Sequence, residues 1–123
     1  MICSITAQPT IAQTADLPVV ATISAVHETP TGKLQRLAVQ TALADGLNPY
    51  VFALIITKES QWNPHAISAT HDYGLVQINL PSHPEVTKQE AFDPDFSLHW
   101  MGEQWKEGNE NEWTTYREYM RLQ

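Results

Sequence analysis

The sequence predicts a mainly α-helical fold: one small helical domain preceded by a loosely ordered N-terminal arm. From Leu34 onward, apolar residues recur at helical spacing, and Pro, Asn and Gly divide this part into about five short segments. Residues 1–32 contain several prolines, almost no charge and no lasting apolar period, which is typical of a linker. We therefore predict an arm or linker over 1–32 and the domain over 33–123. A strand or short helix near 19–26, lying on the domain, stays open as the alternative.

Each predicted helix has its own start and stop signals. The first begins near Leu34 and stops at Gly46, and 61–73 is expected to be an irregular loop. The run 74–79 is either a helical turn or a strand. The remaining predicted helices are 49–60 after Asn48, a short one with a capping box at Thr87 and Glu90, 96–106 after Asp93 and Pro94, and 112–122 capped by Asn111.

Composition limits the classes of function. The chain has 123 residues and a formal net charge of −7, which argues against binding to nucleic acid or to an anionic membrane. No stretch is apolar enough to span a bilayer, and no Lys or Arg precedes Lys33, so a signal peptide is not recognised. Cys3 has no partner for a disulfide, and the histidines lack zinc-ligand spacing, so we expect no metal and no cofactor. We expect a monomer.

Glu59 is the residue best suited to catalysis. It shares a helical face with Phe52 and Ile55, which should point into the core. Partial desolvation would raise its pKa and keep the acid protonated, as the cleavage of a glycosidic bond requires. The open alternative is a Glu at a helix end that reaches water or pairs with a base such as Lys58 or Arg36.

Two motifs surround this acid. The first reads ESQWNPHAIS over 59–68, and the second reads YGLVQIN over 73–79. Their order and spacing strongly resemble the soluble lytic transglycosylase family, and they are also similar to the related goose-type lysozymes. The resemblance runs from about Leu34 to Tyr116 and implies a lysozyme-like helical domain that acts on peptidoglycan glycan strands.

The resemblance implies that Glu59 is the single catalytic carboxylate. It would protonate the oxygen between N-acetylmuramic acid and N-acetylglucosamine, then accept the proton of the muramoyl C6 hydroxyl, giving a 1,6-anhydro product. The alternatives are a hydrolytic muramidase, in which Asp72 positions a water, and a catalytically inactive peptidoglycan-binding module. An extracytoplasmic location follows from the substrate, and secretion-system or phage-lysis partners stay open.

The resemblance also implies substrate-binding roles for Ser60, Ser68, Gln77 and Asn79. Ser68 could instead cap a turn, and Gln77 could bond the backbone. The family's late Ala-Tyr-Asn motif, whose tyrosine helps to hold the acid or the sugar, is missing here. We expect Tyr116 in the last helix to replace it.

Overall fold

The structure is a computed structural model that describes residues 27–123. It is a small, mainly helical domain, as the sequence predicted, and residues 1–26 of the predicted arm, together with the strand or short helix considered near 19–26, lie outside the described residues. No helix among the described residues is long and apolar enough to cross a membrane. The elements in chain order are α1 (Pro30–Ala44), α2 (Pro49–Ser60), β1 (Asp72–Tyr73), β2 (Ile78–Asn79), α3 (Lys88–Phe92), α4 (Pro94–Lys106), a 3-10 helix (Glu110–Glu112) and α5 (Thr114–Arg121).

α1 begins at Pro30, earlier than the predicted start at Leu34. Thr29 is the N-cap and accepts a hydrogen bond from the backbone N–H of Gly32, while Pro30 takes the first helical position. Residues 30–32, which the sequence interpretation placed in the arm, are therefore helical. Gly46 follows the helix with a φ of 71°, which agrees with the predicted stop.

α2 carries the catalytic candidate and spans the predicted range. Asn48 accepts hydrogen bonds from two backbone N–H groups in the first turn. The buried side chains of this helix include Phe52 and Ile55, both fully inaccessible to solvent. The helix ends at Ser60, and Gln61 then adopts a left-handed conformation with a φ of 51°.

The C-terminal third agrees with the sequence prediction in part. The capping box of Thr87 and Glu90 is present, and Asp93 caps α4. The last helix differs, because Asn111 lies inside the 3-10 helix and caps nothing, and α5 begins only at Thr114. Trp113 between them is extended, and its buried indole N–H donates to the Val76 carbonyl at 2.9 Å. The reach of this indole into the core interrupts the helix that the sequence predicted as continuous.

The core lies where α1, α2 and α4 pack together and α5 closes one side. Trp105 joins these elements, since its ring meets Phe52 edge-on at 5.2 Å and Trp113 at 6.2 Å between centroids. These large aromatic contacts supply apolar burial that a domain of this size needs.

The run 74–79 forms turns and one short strand. β1 and β2 pair antiparallel, with Asp72 opposite Asn79 and Tyr73 opposite Ile78. Gly74 turns the chain with a φ of 84°. A Cβ there would lie 1.8 Å from the Ala91 carbonyl oxygen, so the glycine lets the hairpin rest directly on α3.

Candidate active site

A cleft of about 520 Å³ lies between the end of α2, the β-hairpin and the start of α5. Its walls are mostly polar on the hairpin side and partly aromatic on the other. The lining residues are Glu59, Thr70, Asp72, Gln77, Ile78, Asn79, Ser82, His83, Trp100, Glu112, Trp113, Thr114 and Thr115.

Glu59 occupies the last turn of α2 and is half-buried in this cleft. Burial raises the pKa of its carboxyl group, and the negative charge of Asp72 raises it further. Thr115 acts in the opposite direction, because its hydroxyl donates to Glu59 Oε1 at 2.6 Å and stabilises the ionised form. The net pKa of Glu59 lies above its usual value, which is the direction that the sequence interpretation expected of a catalytic acid. Among the described residues Glu59 forms no ion pair with Lys58 or Arg36, and Arg36 pairs with Glu28 instead.

Asp72 is a second carboxyl group in the same cleft, and its pKa is shifted in the opposite direction to that of Glu59. Its Oδ2 accepts from the hydroxyls of Ser68 at 2.6 Å and Thr70 at 2.5 Å, and Oδ1 accepts from Asn79 Nδ2 at 2.9 Å. Partial burial would raise the pKa of Asp72, but these donors outweigh burial and lower it. The cleft therefore holds one acid that favours its proton and one that favours its charge.

Gln77 and Asn79 line the cleft, as the sequence interpretation expected of substrate-binding residues. Gln77 has a positive φ of 58°, and its Nε2 donates to the carbonyls of Ala66 at 3.2 Å and Gly74 at 2.9 Å. Because its two N–H groups are engaged, Gln77 offers the cleft its amide oxygen. Asn79 holds the hairpin together through its bond to Asp72.

Ser60 and Ser68 do not line the cleft. Ser60 is buried, with its hydroxyl donating to the Ile56 carbonyl at 3.4 Å and accepting from Trp62 N at 3.2 Å, so it ends the helix. Ser68 accepts from the backbone N–H of Asp72 at 3.0 Å and also donates to that carboxylate. Ser68 is thus the turn cap that the sequence left open, and it reaches the cleft only through Asp72.

Tyr116 lies outside the cleft, contrary to its expected role as the residue that holds the acid. Its ring packs on Trp105 at 5.1 Å and borders a separate groove that also contains Tyr119. The residue that contacts Glu59 is the preceding one, Thr115, which the sequence interpretation missed. Adjacent residues of a helix point about 100° apart, so an error of one position selects a different face of the helix.

The far end of the cleft is aromatic, and the sequence interpretation did not predict it. His83 Nε2 lies 3.0 Å from Glu112 Oε1, and its ring meets Trp100 edge-on at 4.8 Å. Trp100 in turn contacts Trp113 at 5.9 Å. These residues come from three separate segments, and no short motif contains them. Among residues 27–123, no group of three His, Cys, Asp or Glu side chains is arranged to hold a metal ion.

A sequence profile described as the Transglycosylase SLT domain matches residues 36–116. The chain belongs to this family. The match confirms the resemblance drawn from the two motifs, and it places this SLT domain among proteins of lytic transglycosylase type that act on peptidoglycan. No curated protein and no solved structure matches the chain significantly.

Proposed function

We propose that this SLT domain cleaves the β-1,4 bond between N-acetylmuramic acid and N-acetylglucosamine and forms a 1,6-anhydro-muramoyl end. The observation that carries the proposal is Glu59, a half-buried carboxyl group with a raised pKa in an open cleft. Glycan strands are long and largely uncharged along their sugar rings, and a cleft with polar and aromatic walls suits them.

Glu59 serves as acid and then as base in this reaction. Its proton passes to the glycosidic oxygen as the bond from muramoyl C1 breaks, and the N-acetylglucosamine leaves with a free C4 hydroxyl. The muramoyl C6 hydroxyl then bonds to C1 and returns its proton to the Glu59 carboxylate. The acid is regenerated without water, so a single carboxyl group of suitable pKa suffices.

The other cleft residues fit roles in binding and charge stabilisation. Gln77 lines the cleft with its N–H groups engaged, which leaves its amide oxygen to accept from a sugar hydroxyl or acetamido N–H. The ring of Trp100 offers an apolar surface for a sugar face at the other end. The ionised Asp72 favours positive charge developing at C1.

The products test the proposal directly. Purified peptidoglycan is incubated with the protein, and the soluble muropeptides are analysed by mass spectrometry. We expect ends that are lighter than a reducing end by one water, because the C6 hydroxyl replaces water. Reduction with borohydride supplies the control, since anhydro ends resist it and reducing ends gain two hydrogens. Reducing ends alone would contradict the transglycosylase reaction and favour hydrolysis.

A hydrolytic muramidase is the second candidate, and the position of Asp72 favours it. A hydrolase that works with two carboxyl groups needs one protonated and one ionised, and the raised pKa of Glu59 and the lowered pKa of Asp72 are shifts in those two directions. The three hydrogen bonds that Asp72 accepts weaken it as a nucleophile, and they suit it better to an electrostatic role.

Replacing Asp72 by asparagine separates the two candidates. In the transglycosylase, removing this charge lowers the pKa of Glu59, so the loss of activity at high pH should begin at a lower pH. Anhydro products should persist. In the hydrolase, reducing-end products should disappear with the charge that positions the water. The measurement is the pH profile of kcat together with product masses, and Asp95→Asn, on the exposed start of α4, is the matched control.

We infer an extracytoplasmic site of action from the proposed substrate. Secretion-system or phage-lysis partners remain a proposal of the same kind, as does a monomeric state.

A further inference from the structure

One hydrogen bond connects the catalytic candidate to the last helix. Thr115 Oγ1 donates to Glu59 Oε1 at 2.6 Å, between residues 56 positions apart in the chain. Both side chains are partly buried, so water competes less for this bond than at an exposed surface. A short bond to a carboxylate is among the stronger hydrogen bonds in proteins.

The position of Thr115 is set by its neighbours on both sides. Trp113, two residues earlier, is anchored by its indole bond to Val76, and Tyr116, one residue later, packs against Trp105. Trp113 and Tyr116 both pack on Trp105, at 6.2 and 5.1 Å between ring centroids, so the aromatic residues that flank Thr115 are anchored on the same core side chain. The hydroxyl between them is therefore presented to Glu59 by a rigid element.

The two oxygens of the Glu59 carboxyl group differ as a result. Oε1 is engaged by Thr115, whereas the described residues provide no hydrogen bond to Oε2. Because Glu59 lines the cleft, Oε2 is the carboxyl oxygen that the described residues leave available to a substrate.

We propose that Thr115 is the positioning residue of Glu59, holding Oε1 so that Oε2 carries the proton given to the glycosidic oxygen. This role takes the place of the tyrosine motif that the chain lacks, and it rests on the proposed function of Glu59 as acid. Thr115 touches the carboxyl group and not the reacting sugar atoms.

The proposal has a consequence for the pH profile. Because the hydroxyl stabilises the carboxylate, its removal raises the pKa of Glu59. This substitution leaves in place the other titratable groups that line the cleft, which are Asp72 on β1, His83 before α3 and Glu112 on the 3-10 helix, and also the exposed Lys58 beside Glu59 on α2. Activity that needs the protonated acid should then persist to higher pH, while the rate falls because the carboxyl group is less well oriented.

The test is a carbon-13 NMR titration of the Glu59 carboxyl carbon in protein labelled at glutamate, with the resonance assigned by its loss in Glu59→Gln. We expect the midpoint to move to higher pH in Thr115→Val and in Thr115→Ala, and to stay at the wild-type value in Thr115→Ser. With peptidoglycan, kcat should fall about tenfold to a hundredfold in the first two variants, with KM little changed. Thr31→Val, exposed on α1 and away from the cleft, is the matched control.

An unshifted Glu59 midpoint in both Thr115→Val and Thr115→Ala overturns the proposal, whether or not the wild-type protein cleaves peptidoglycan. So does a fall in kcat that Thr115→Ser fails to rescue. The Glu59 midpoint could shift in Thr115→Val and Thr115→Ala although the wild-type protein does not cleave peptidoglycan. That result would support the role of the hydrogen bond in positioning Glu59 and would contradict the proposed function alone.

Discussion

Replacing Glu59 by glutamine is expected to lower the rate of glycan cleavage by about three orders of magnitude. General acid catalysis typically contributes 10² to 10⁴ in rate, and glutamine has no proton to give and cannot take one back. Its amide oxygen can still accept the Thr115 hydroxyl, so the local geometry should survive. The measurement is the release of soluble muropeptides per enzyme over time.

Stability separates this loss from unfolding. Because the pKa of Glu59 is raised in the folded protein, its contribution to stability is full at acidic pH and is lost as pH rises through that raised pKa. A neutral glutamine escapes this loss, so Glu59→Gln should melt at or above the wild-type temperature at neutral pH. Glu118→Gln, exposed on α5, is the control for charge removal and should keep full activity.

Undiminished cleavage by Glu59→Gln would contradict the role of this acid. A different result, in which wild type and variant bind peptidoglycan equally and neither releases product, would favour the inactive binding module.

Replacing Gly74 by alanine is expected to have the largest effect on stability. The new Cβ would lie 1.8 Å from the Ala91 carbonyl oxygen and 2.8 Å from its carbon, both backbone atoms of α3. Neither the hairpin nor α3 can yield without moving the other, so the free energy of unfolding should fall by more than about 3 kcal/mol. Since small domains are stable by about 5–15 kcal/mol, much of the protein should be unfolded at moderate urea concentrations.

Gly108→Ala provides a matched control for this clash. Gly108 has a φ of 85°, almost the 84° of Gly74, but no atom lies within 4 Å of the position its Cβ would take. Its replacement should lower the free energy of unfolding by only about 1 kcal/mol, because alanine is strained in the left-handed conformation. Urea unfolding of the two variants compares them, and equal losses would show that backbone conformation, rather than contact with α3, governs position 74.

Much of the fold was predictable because its signals are local. Asn48 and Pro49 begin α2, and Thr87 with Glu90 begins α3, through bonds that span only a few residues. The start of the first helix was placed late because Thr29 and Pro30 lie among residues that otherwise look like a linker. The last helix was misplaced at Asn111 because the interruption at Trp113 comes from a bond to Val76 on the far side of the core.

The features of the candidate site also divide into those with local signals in the sequence and those that depend on long-range contacts. The sequence by itself determined the family and the mainly helical class, and it singled out Glu59 as the candidate acid, since helical periodicity and two compact motifs are written in neighbouring residues. Only the tertiary structure decided that Thr115 rather than Tyr116 meets this acid, that Ser68 reaches the cleft through Asp72, and that Trp100 forms the opposite wall. The physical reason is that these contacts join segments far apart in the chain, and a rotation of one residue along a helix is enough to exchange one partner for another.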